Sequence, residues 1–343
     1  KDCISCAGLR NKQYCILNKQ YLEKDYFRIK EELSLGTLGG RQKPKEEFLK
    51  LLKKVPHKYA NLINCENCTG NNLINSKDSK ECFNQRNLHS CKWMSCGDGA
   101  KDCYDCWSTG GPELCYNCIT PDLSYNVIFG VYCWQTKNAA YSDNCHSCQD
   151  IFGCVGMRRS RFCILNKQYS EKEYFDLLAK IIKHMKEAGE WGEFFPVSLT
   201  PFAYNETPAN EWYPLDKETA IKKGYRWCYK LPGTYEKETI SWDKVPSNIL
   251  HVDASFSKHV FPCVKCKKNY KIQEKEIEFY KKINVPLPQL CIDCRYAERK
   301  ILIKPRKLFE RKCDKCETEV RSVYSSNDSE IIYCEKCYLE QVY

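Results

Sequence analysis

Cysteine is the residue type best able to do chemistry in this chain, with 26 copies among 343 residues. The last eight fall into two sets, spaced C-x2-C-x24-C-x2-C and C-x2-C-x17-C-x2-C. A two-residue gap lets both sulfurs of a pair face one metal ion, and two pairs complete a tetrahedral Zn²⁺ site. We therefore predict two zinc sites, with the ligands Cys263, Cys266, Cys291 and Cys294 in the first and Cys313, Cys316, Cys334 and Cys337 in the second.

The remaining cysteines, all nearer the N-terminus, have two interpretations. Cys145, Cys148, Cys154 and Cys163 form C-x2-C-x5-C-x8-C, enough ligands for a further zinc ion or an Fe–S cluster. Alternatively, these thiols carry no metal and stack in a core. The second interpretation is favoured because a repeated copy of the region, described below, has Cys3 where this copy has Ile151. Two zinc ions are thus expected, and more remain open.

Composition indicates a chain that can fold around its own cores. The mass is 40.2 kDa and the mean hydropathy is −0.60. The longest apolar runs, such as Ile301 to Ile303, are too short to cross a bilayer, and no signal segment opens the chain, so we expect no membrane association and a cytoplasmic location. Since Lys1 is not an initiator methionine, we also expect a removed N-terminus or a longer parent chain. The even cysteine count leaves a secreted, disulfide-bonded protein as the alternative.

An internal repeat divides the chain. Residues 6–27 and 154–175 agree at 14 of 22 positions, including the shared run CILNKQY. Each copy ends in an amphipathic helical pattern, near 22–33 and 170–187, and Ser170 with Glu173 forms a capping box before the second. The pattern predicts a duplicated structural cap, in which Cys6 and Cys15 correspond to Cys154 and Cys163.

The segment between the copies, residues 61–153, has no helical period. Cysteine-containing fragments such as KDCYDC and ELCYNC recur at short, uneven intervals among asparagines and glycines. Short strands with a small inward residue at a repeating position are typical of a parallel β-solenoid, in which cysteines and asparagines stack from turn to turn. Each repeat copy would then cover the open end of such a stack with a helix.

The predicted fold class is mixed and β-rich: a cysteine-rich, solenoid-like region with duplicated helical caps, an aromatic extended segment and two C-terminal zinc modules of treble-clef or ribbon type. In the extended segment we expect one short helix at 216–223 and a packed loop at Tyr204–Glu206 in preference to a polar site. The predicted domains are the first repeat unit and helices (1–60), the solenoid-like region with the second repeat (61–187), the aromatic and proline-rich connection (188–257), a zinc-binding domain (258–304) and a zinc ribbon (305–343).

Two resemblances support the zinc assignment. The run from His259 to Lys300, with its C-x-x-C knuckle, an acidic helix containing Phe-Tyr and then P-x-x-C-x-x-C-R, resembles the probable zinc-binding domain family. The tail from Cys313 resembles a zinc ribbon or treble clef. Nearly the whole chain is similar to cysteine-rich zinc-ribbon proteins of environmental bacteria, which implies the fold and the metal and carries no activity to any residue.

Nucleic-acid binding is the first functional hypothesis. Two Zn(Cys)4 centres would lower the formal charge of +10 to about +6, so local charge matters more than the total. A basic segment lies between the two cysteine sets, and its only acidic residues are Glu298 and Glu310. For this segment we predict a helix from Cys294 to about Ile303, followed by a break at Pro305. The candidate phosphate contacts are Arg295, Arg299, Lys300, Lys304, Arg306, Lys307, Arg311 and Lys312.

The alternatives are a scaffold for protein assembly and a treble-clef nuclease. A nuclease needs a histidine base beside the second knuckle, but His251 and His259 precede the first one. A thioredoxin-like site needs a βαβ context around its C-x-x-C pair, and none is readable in this sequence. A cysteine protease is not favoured either, because none of the six histidines matches a cysteine-protease signature. The sequence therefore favours a non-enzymatic zinc protein that binds nucleic acid through its C-terminal modules, with a protein scaffold as the alternative.

Overall fold

The computed structural model of the chain describes residues 1–342 and has many parallel strands. Within that range it contains nineteen strands and eight α-helices, and none of these helices is long and apolar enough to cross a membrane. The N-terminal part consists of β1 (Cys3–Ile4), β2 (Cys15–Ile16), β3 (Lys19–Gln20), α1 (Glu23–Glu32), α2 (Leu38–Leu52) and β4 (Pro56–Lys58).

Residues 61–164, which we call the parallel stack, form two sheets of parallel strands. Within each sheet every strand pairs with the next one along the chain, and isolated bridges such as Glu113 opposite Tyr125 continue the ladder between the sheets. The strands are β5 (Leu62–Ile63), β6 (Gly70–Ile74), β7 (Cys82–Arg86), β8 (Ser95–Asp98), β9 (Trp107–Gly110), β10 (Tyr125–Ile128), β11 (Lys137–Ala140), β12 (Gln149–Phe152) and β13 (Arg161–Ile164). At the first strand pair, where Leu62 lies opposite Leu73, the spacing between paired residues is one residue shorter than at the later pairs. From there on the spacing is constant, as in Tyr125 opposite Lys137 and Lys137 opposite Gln149.

The repeating unit of the parallel stack is only three residues long. One residue forms a ladder bridge, the next has a positive φ and the third is buried, as in Lys80, Glu81 and Cys82. Positive φ costs least in asparagine, aspartate and glycine, which explains why Asn75, Asp78 and similar residues recur. Four such triplets make each turn of the constant register. Every third side chain points into the core, and inward side chains one full turn apart, such as Val127, Ala139 and Ile151, form a column.

Hydrogen bonds between turns hold these columns together. At positive-φ positions, amides donate to the next turn, as from Asn126 Nδ2 to Asn138 Oδ1 (3.0 Å) and from Asn138 Nδ2 to Asp150 Oδ1 (2.9 Å). Inside, the Cys103 thiol donates to the carbonyls of Lys101 (3.1 Å) and Pro112 (3.6 Å). Because the Ser124 hydroxyl makes the same pair of bonds, to the carbonyls of Asp122 and Cys133, small donors replace one another along the columns.

The two repeat copies make the same local contacts. Cys15 pairs with Gln20 as Cys163 pairs with Gln168, through the antiparallel strands β3 and β14 (Lys167–Gln168). The side chain of Asn18 bonds both backbone groups of Ala7, and that of Asn166 bonds those of Val155. Helix α3 (Glu171–Glu187) follows the second copy and starts with the predicted Ser170–Glu173 capping box.

Residues 188–258 form an extended segment with two short helices, α4 (Pro208–Trp212) and α5 (Lys217–Lys222), and five single-turn 3-10 helices. Its start packs over the parallel stack, since Trp191 and Phe195 contact the Tyr141 ring. Asn205 bonds the backbone of Cys228 in both directions, which makes this stretch the packed loop expected from sequence. The predicted helix at 216–223 is confirmed as α5, capped by Asp216.

The C-terminal third contains two modules of similar layout. The first has β15 (Phe261–Pro262), β16 (Asn269–Tyr270), α6 (Glu274–Lys282) and α7 (Ile292–Lys300), and its core includes Ile249 and Val252 from the preceding segment. The second has β17 (Phe309–Lys312), β18 (Glu319–Ser322), β19 (Ile331–Tyr333) and α8 (Glu335–Val342). Strand β19 pairs in parallel with β4, which joins this module to the start of the chain.

Candidate metal centres

The eight predicted zinc ligands come together as two groups of four. In each group, one C-x-x-C pair lies in the turn of an antiparallel hairpin, β15–β16 or β17–β18. The other pair lies at the start of a helix: Cys291 is the N-cap of α7 with Cys294 in its first turn, and Cys334 and Cys337 have the same relation to α8. Hairpin and helix thus present their sulfurs to a common centre.

The sulfur geometry fits a tetrahedral metal ion. All sulfurs of each group lie within 4.8 Å of one another, and Cys266–Cys291 and Cys316–Cys334 are separated by 3.6 and 3.7 Å. Ligands at the usual Zn–S length of about 2.3 Å from a tetrahedral centre lie roughly 3.8 Å apart. The backbone N–H of Cys291 donates to Cys263 Sγ (3.3 Å), and that of Cys334 donates to Cys313 Sγ (3.2 Å). Both groups can therefore hold a metal ion, and four thiolates favour zinc.

The surroundings of the sulfurs lower the pKa of some thiols and raise the pKa of others. Burial opposes ionisation of Cys263, but backbone N–H groups of Cys266 and Cys291 outweigh it and lower the pKa of Cys263 to about 6. The Thr318 side chain and backbone lower the pKa of Cys316 to about 6. Burial and the neighbouring thiols raise the pKa of Cys294. A dication at the centre removes this repulsion between sulfurs, so the complete thiolate set forms together with the metal.

The third candidate set is not brought together. Among residues 1–342, Cys145, Cys148, Cys154 and Cys163 form no cluster of the kind seen in the two C-terminal groups. Instead they are buried in the parallel stack, where the Cys145 thiol donates to the carbonyl of Cys154, and the Cys154 thiol to that of Cys163, each at 3.4 Å. This arrangement favours stacked core thiols over a metal cluster.

The stack thiols give a pH prediction. Burial raises the pKa of Cys145 from 9.0 to about 11 and that of Cys133 to about 12. Because the unfolded thiol ionises first, the contribution of these two thiols to stability should be complete below pH 9 and should be lost as pH rises from 9 to about 11, by up to about 1.4 kcal/mol per pH unit for each thiol. Urea unfolding across this range measures the effect, and Cys145→Ala should reduce the slope. Stability that rises with pH would instead indicate ionised, metal-bound thiols in the stack.

The helix in the basic segment differs from its predicted bounds. It spans Ile292–Lys300, whereas the sequence suggested Cys294 to about Ile303. Cys291 has an extended backbone and acts as N-cap, so both cysteines of the pair take part in the helix start. Pro305 disfavours the helical conformation at Lys304, so the chain leaves the helix before that point.

Most of the predicted phosphate contacts are engaged within the chain. Arg295 bonds the Tyr280 hydroxyl (3.0 Å), Lys300 pairs with Glu211 (3.4 Å) and Lys304 pairs with Glu330 (2.9 Å). The Arg311 guanidinium, whose side chain is 8% exposed, pairs with Asp314 (3.1 Å). Arg306 lies over the Trp212 ring, with its carbon Cζ 3.5 Å from the centroid. Arg299, Lys307 and Lys312 remain exposed.

Two features were missed at the sequence level. Exposed aromatic side chains lie on the parallel stack, and a polar cleft opens into it near Gln85. The regular spacing of Tyr104 and Tyr116, which are bridged neighbours in the ladder, was the available signal for the first. The second had no local signal, because Gln85, Gly97 and Thr109 become neighbours only once the length of the turn is known.

No protein-family model matches the chain, and a search of curated proteins finds no significant similarity. The resemblance to zinc-ribbon proteins therefore remains a prediction from the quoted motifs. The function has to be argued from the two cysteine groups and from the surfaces around them.

Proposed function

We propose that the protein is a non-enzymatic zinc protein that acts as a scaffold for protein assembly. In this proposal the parallel stack is a β-solenoid, each repeat copy is a cap at the end of such a stack, and the two C-terminal modules are zinc ribbons of treble-clef type. The constant register of the ladder supports the first assignment, the matched contacts of the copies the second, and the hairpin-plus-helix cysteine groups the third.

The second module is held directly against the stack and the segment before it. Ser322 Oγ donates to the Tyr59 carbonyl (2.7 Å), Lys58 pairs with Glu335 (2.7 Å) and Arg321 pairs with Glu81 (3.3 Å). Metal binding would therefore fix one compact arrangement of these parts. A metal-stabilised arrangement of this kind suits a protein that presents a fixed surface to its partners.

The observation that carries the scaffold proposal is a set of three exposed aromatic side chains, the aromatic row: Trp93, Tyr104 and Tyr116. They are 46%, 43% and 41% exposed and lie on successive turns. Tyr104 bridges to Tyr116, and Lys92, the residue before Trp93, bridges to Tyr104, so Trp93 lies one residue off the column of the two tyrosines. Tryptophan and tyrosine dominate the energetics of protein interfaces because they bury large rigid areas at little entropic cost. In contrast, five of the eight basic residues between Arg295 and Lys312 already contact other side chains of the chain.

We expect replacement of the aromatic row by serine (Trp93→Ser, Tyr104→Ser, Tyr116→Ser) to weaken partner binding by roughly tenfold or more. The measurement is affinity capture from nuclease-treated extracts of the source cells, followed by calorimetry with the purified partner. The matched control replaces three exposed aromatics outside the stack, Phe202, Tyr213 and Tyr229, by serine. Equal binding by the row variant and the parent, or capture of nucleic acid alone, would contradict the scaffold proposal.

Nucleic-acid binding is the second candidate, and the exposed basic residues favour it. Arg299 lies near the Tyr296 ring, which is 41% exposed and available to stack, while Lys307 and Lys312 are exposed nearby in sequence. If these residues contact phosphates, replacing the three by alanine should flatten the salt dependence by about 0.7 to 0.9 units per contact. Fluorescence anisotropy with single-stranded oligonucleotides between about 50 and 200 mM salt tests this. Absence of binding at low salt removes the candidate.

A further inference from the structure

A cleft of about 610 Å³, lined mainly by polar residues, opens on one side of the parallel stack, and none of the eight C-terminal cysteines lines it. Its lining includes the inward residues Gln85 and Thr109 and the outer residues Arg86, Cys96 and Asp98. Gly97 lies between the two inward residues in the ladder, and a Cβ there would approach Thr109 Oγ1 to 2.3 Å. The glycine thus leaves room between these turns, in a size range typical of small-molecule sites.

Most of the buried side-chain polar atoms that lack a hydrogen-bond partner in the described chain belong to residues that line the cleft. Within residues 1–342, five buried side-chain nitrogen and oxygen atoms have no hydrogen-bond partner, and three of them are Gln85 Nε2, Gln85 Oε1 and Thr109 Oγ1. Gln85 is only 1% exposed. Burying an amide without hydrogen-bond partners costs free energy. The Gln85 side chain therefore needs a partner from outside the chain.

A fourth such atom, Arg306 Nε, belongs to a guanidinium that contacts one residue of the cleft lining. Arg306 Nη2 lies 2.8 Å from the sulfur of Cys96, which lines the cleft, and the Trp212 ring covers the guanidinium. The nearby carboxylate, Asp98, is already engaged, because it accepts a bond from Asn87 Nδ2 (2.6 Å) and lies 3.9 Å from Arg86 Nε. Arg306 therefore brings a positive charge beside Cys96, at the edge of the cleft.

We propose that this cleft binds a small molecule through an anionic oxygen group, a carboxylate or a phosphate. Gln85 Nε2 and Thr109 Oγ1 supply donors at the floor, and the Arg306 and Arg86 guanidiniums supply charge at the rim. Gln85 Oε1 then accepts a bond from a hydroxyl or amide elsewhere on the ligand. This site is independent of the proposed scaffold and nucleic-acid surfaces.

The test uses the full zinc-loaded chain, with inorganic phosphate and succinate as separate probes and chloride at matched ionic strength as the reference. Two-dimensional ¹H–¹⁵N spectra follow the Gln85 side-chain amide and the Arg306 Nε–H, and thermal unfolding follows stabilisation. We expect saturable shifts of both resonances with at least one probe. Whether phosphate or succinate binds more tightly distinguishes the two sources of the anionic group.

Two variants and a control complete the test. Gln85→Leu should leave thermal stability without probe unchanged or higher, because it removes the unpartnered amide, and should abolish stabilisation by the probe. Arg306→Met should weaken binding about tenfold or more. Arg41→Met, which removes an exposed arginine of α2, should bind as the parent does. Absence of saturable shifts, shifts unchanged in both variants, or a cleft filled by ordered water alone would overturn the proposal.

Discussion

Removal of metal should unfold the two C-terminal modules and leave the parallel stack folded. Structural zinc sites contribute on the order of 10 kcal/mol to folding, and the second module has few fully buried apolar side chains, such as Val323 and Ile332, to compensate. We expect chelation to raise hydrogen exchange throughout residues 261–342. The stack should keep its protection because its thiols bond to backbone carbonyls instead of metal.

Single substitutions separate the two centres. Cys313→Ser should also expose the amides at residues 57–59, because β19 pairs with β4, the Tyr59 N–H donates to the Tyr333 carbonyl, and β19 is tied to the cysteine knuckle through Asp314. Cys291→Ser should loosen the first module and leave β4 protected. Cys228→Ser, at a half-buried cysteine outside both groups, is the matched control. Unchanged exchange after chelation, or equal exposure of β4 in both variants, would contradict this assignment.

The cysteine groups were predictable because their geometry is local. A C-x-x-C pair fixes two sulfurs within one turn, whatever the rest of the chain does. The second pair of each set follows after a short spacer and needs only a hairpin and one helix start to reach the first. The structure accordingly gathers the eight residues taken from sequence.

The period of the stack was harder to extract. Its inward position is occupied by cysteine, serine, threonine, alanine, valine and methionine in turn, because each is small enough and several donate equivalent hydrogen bonds. Counting cysteines alone therefore gave irregular intervals, although the ladder itself keeps a constant register. The positive-φ position is equally degenerate, since Trp93, Phe129 and Tyr132 take it beside the expected asparagines.

The basic segment illustrates what sequence patterns omit. Eight like charges in the short stretch from Arg295 to Lys312 resemble a phosphate-binding strip when they are considered alone. Apart from the Arg311–Asp314 pair, several of their partners lie far away in sequence: Glu211 and Trp212 in α4, Glu330 before β19 and Cys96 in the stack. A pattern confined to neighbours cannot reveal these contacts. Only three of the eight charges remain exposed as a result.

The largest effect expected outside the metal centres concerns the buried tyrosine of each repeat copy. Tyr174 and Tyr26 are each 2% exposed and occupy equivalent positions in the two copies. Tyr174 contacts Phe162 with ring centroids 5.8 Å apart, and Tyr26 contacts Tyr14 at 5.7 Å. Removing such a ring from a core costs about 3–5 kcal/mol.

Tyr174→Ala should therefore destabilise the end of the stack, raising hydrogen exchange from β12 through α3, while Tyr26→Ala acts on β1 to α1 alone. Since each turn contacts only its neighbours, the effect should fade toward β5. Tyr174→Phe and Tyr26→Phe keep the ring and serve as controls with small effects. If the two copies are duplicated caps, the two alanine variants lose similar free energy in separate regions. A large loss from one and none from the other would show that only one copy acts as a cap.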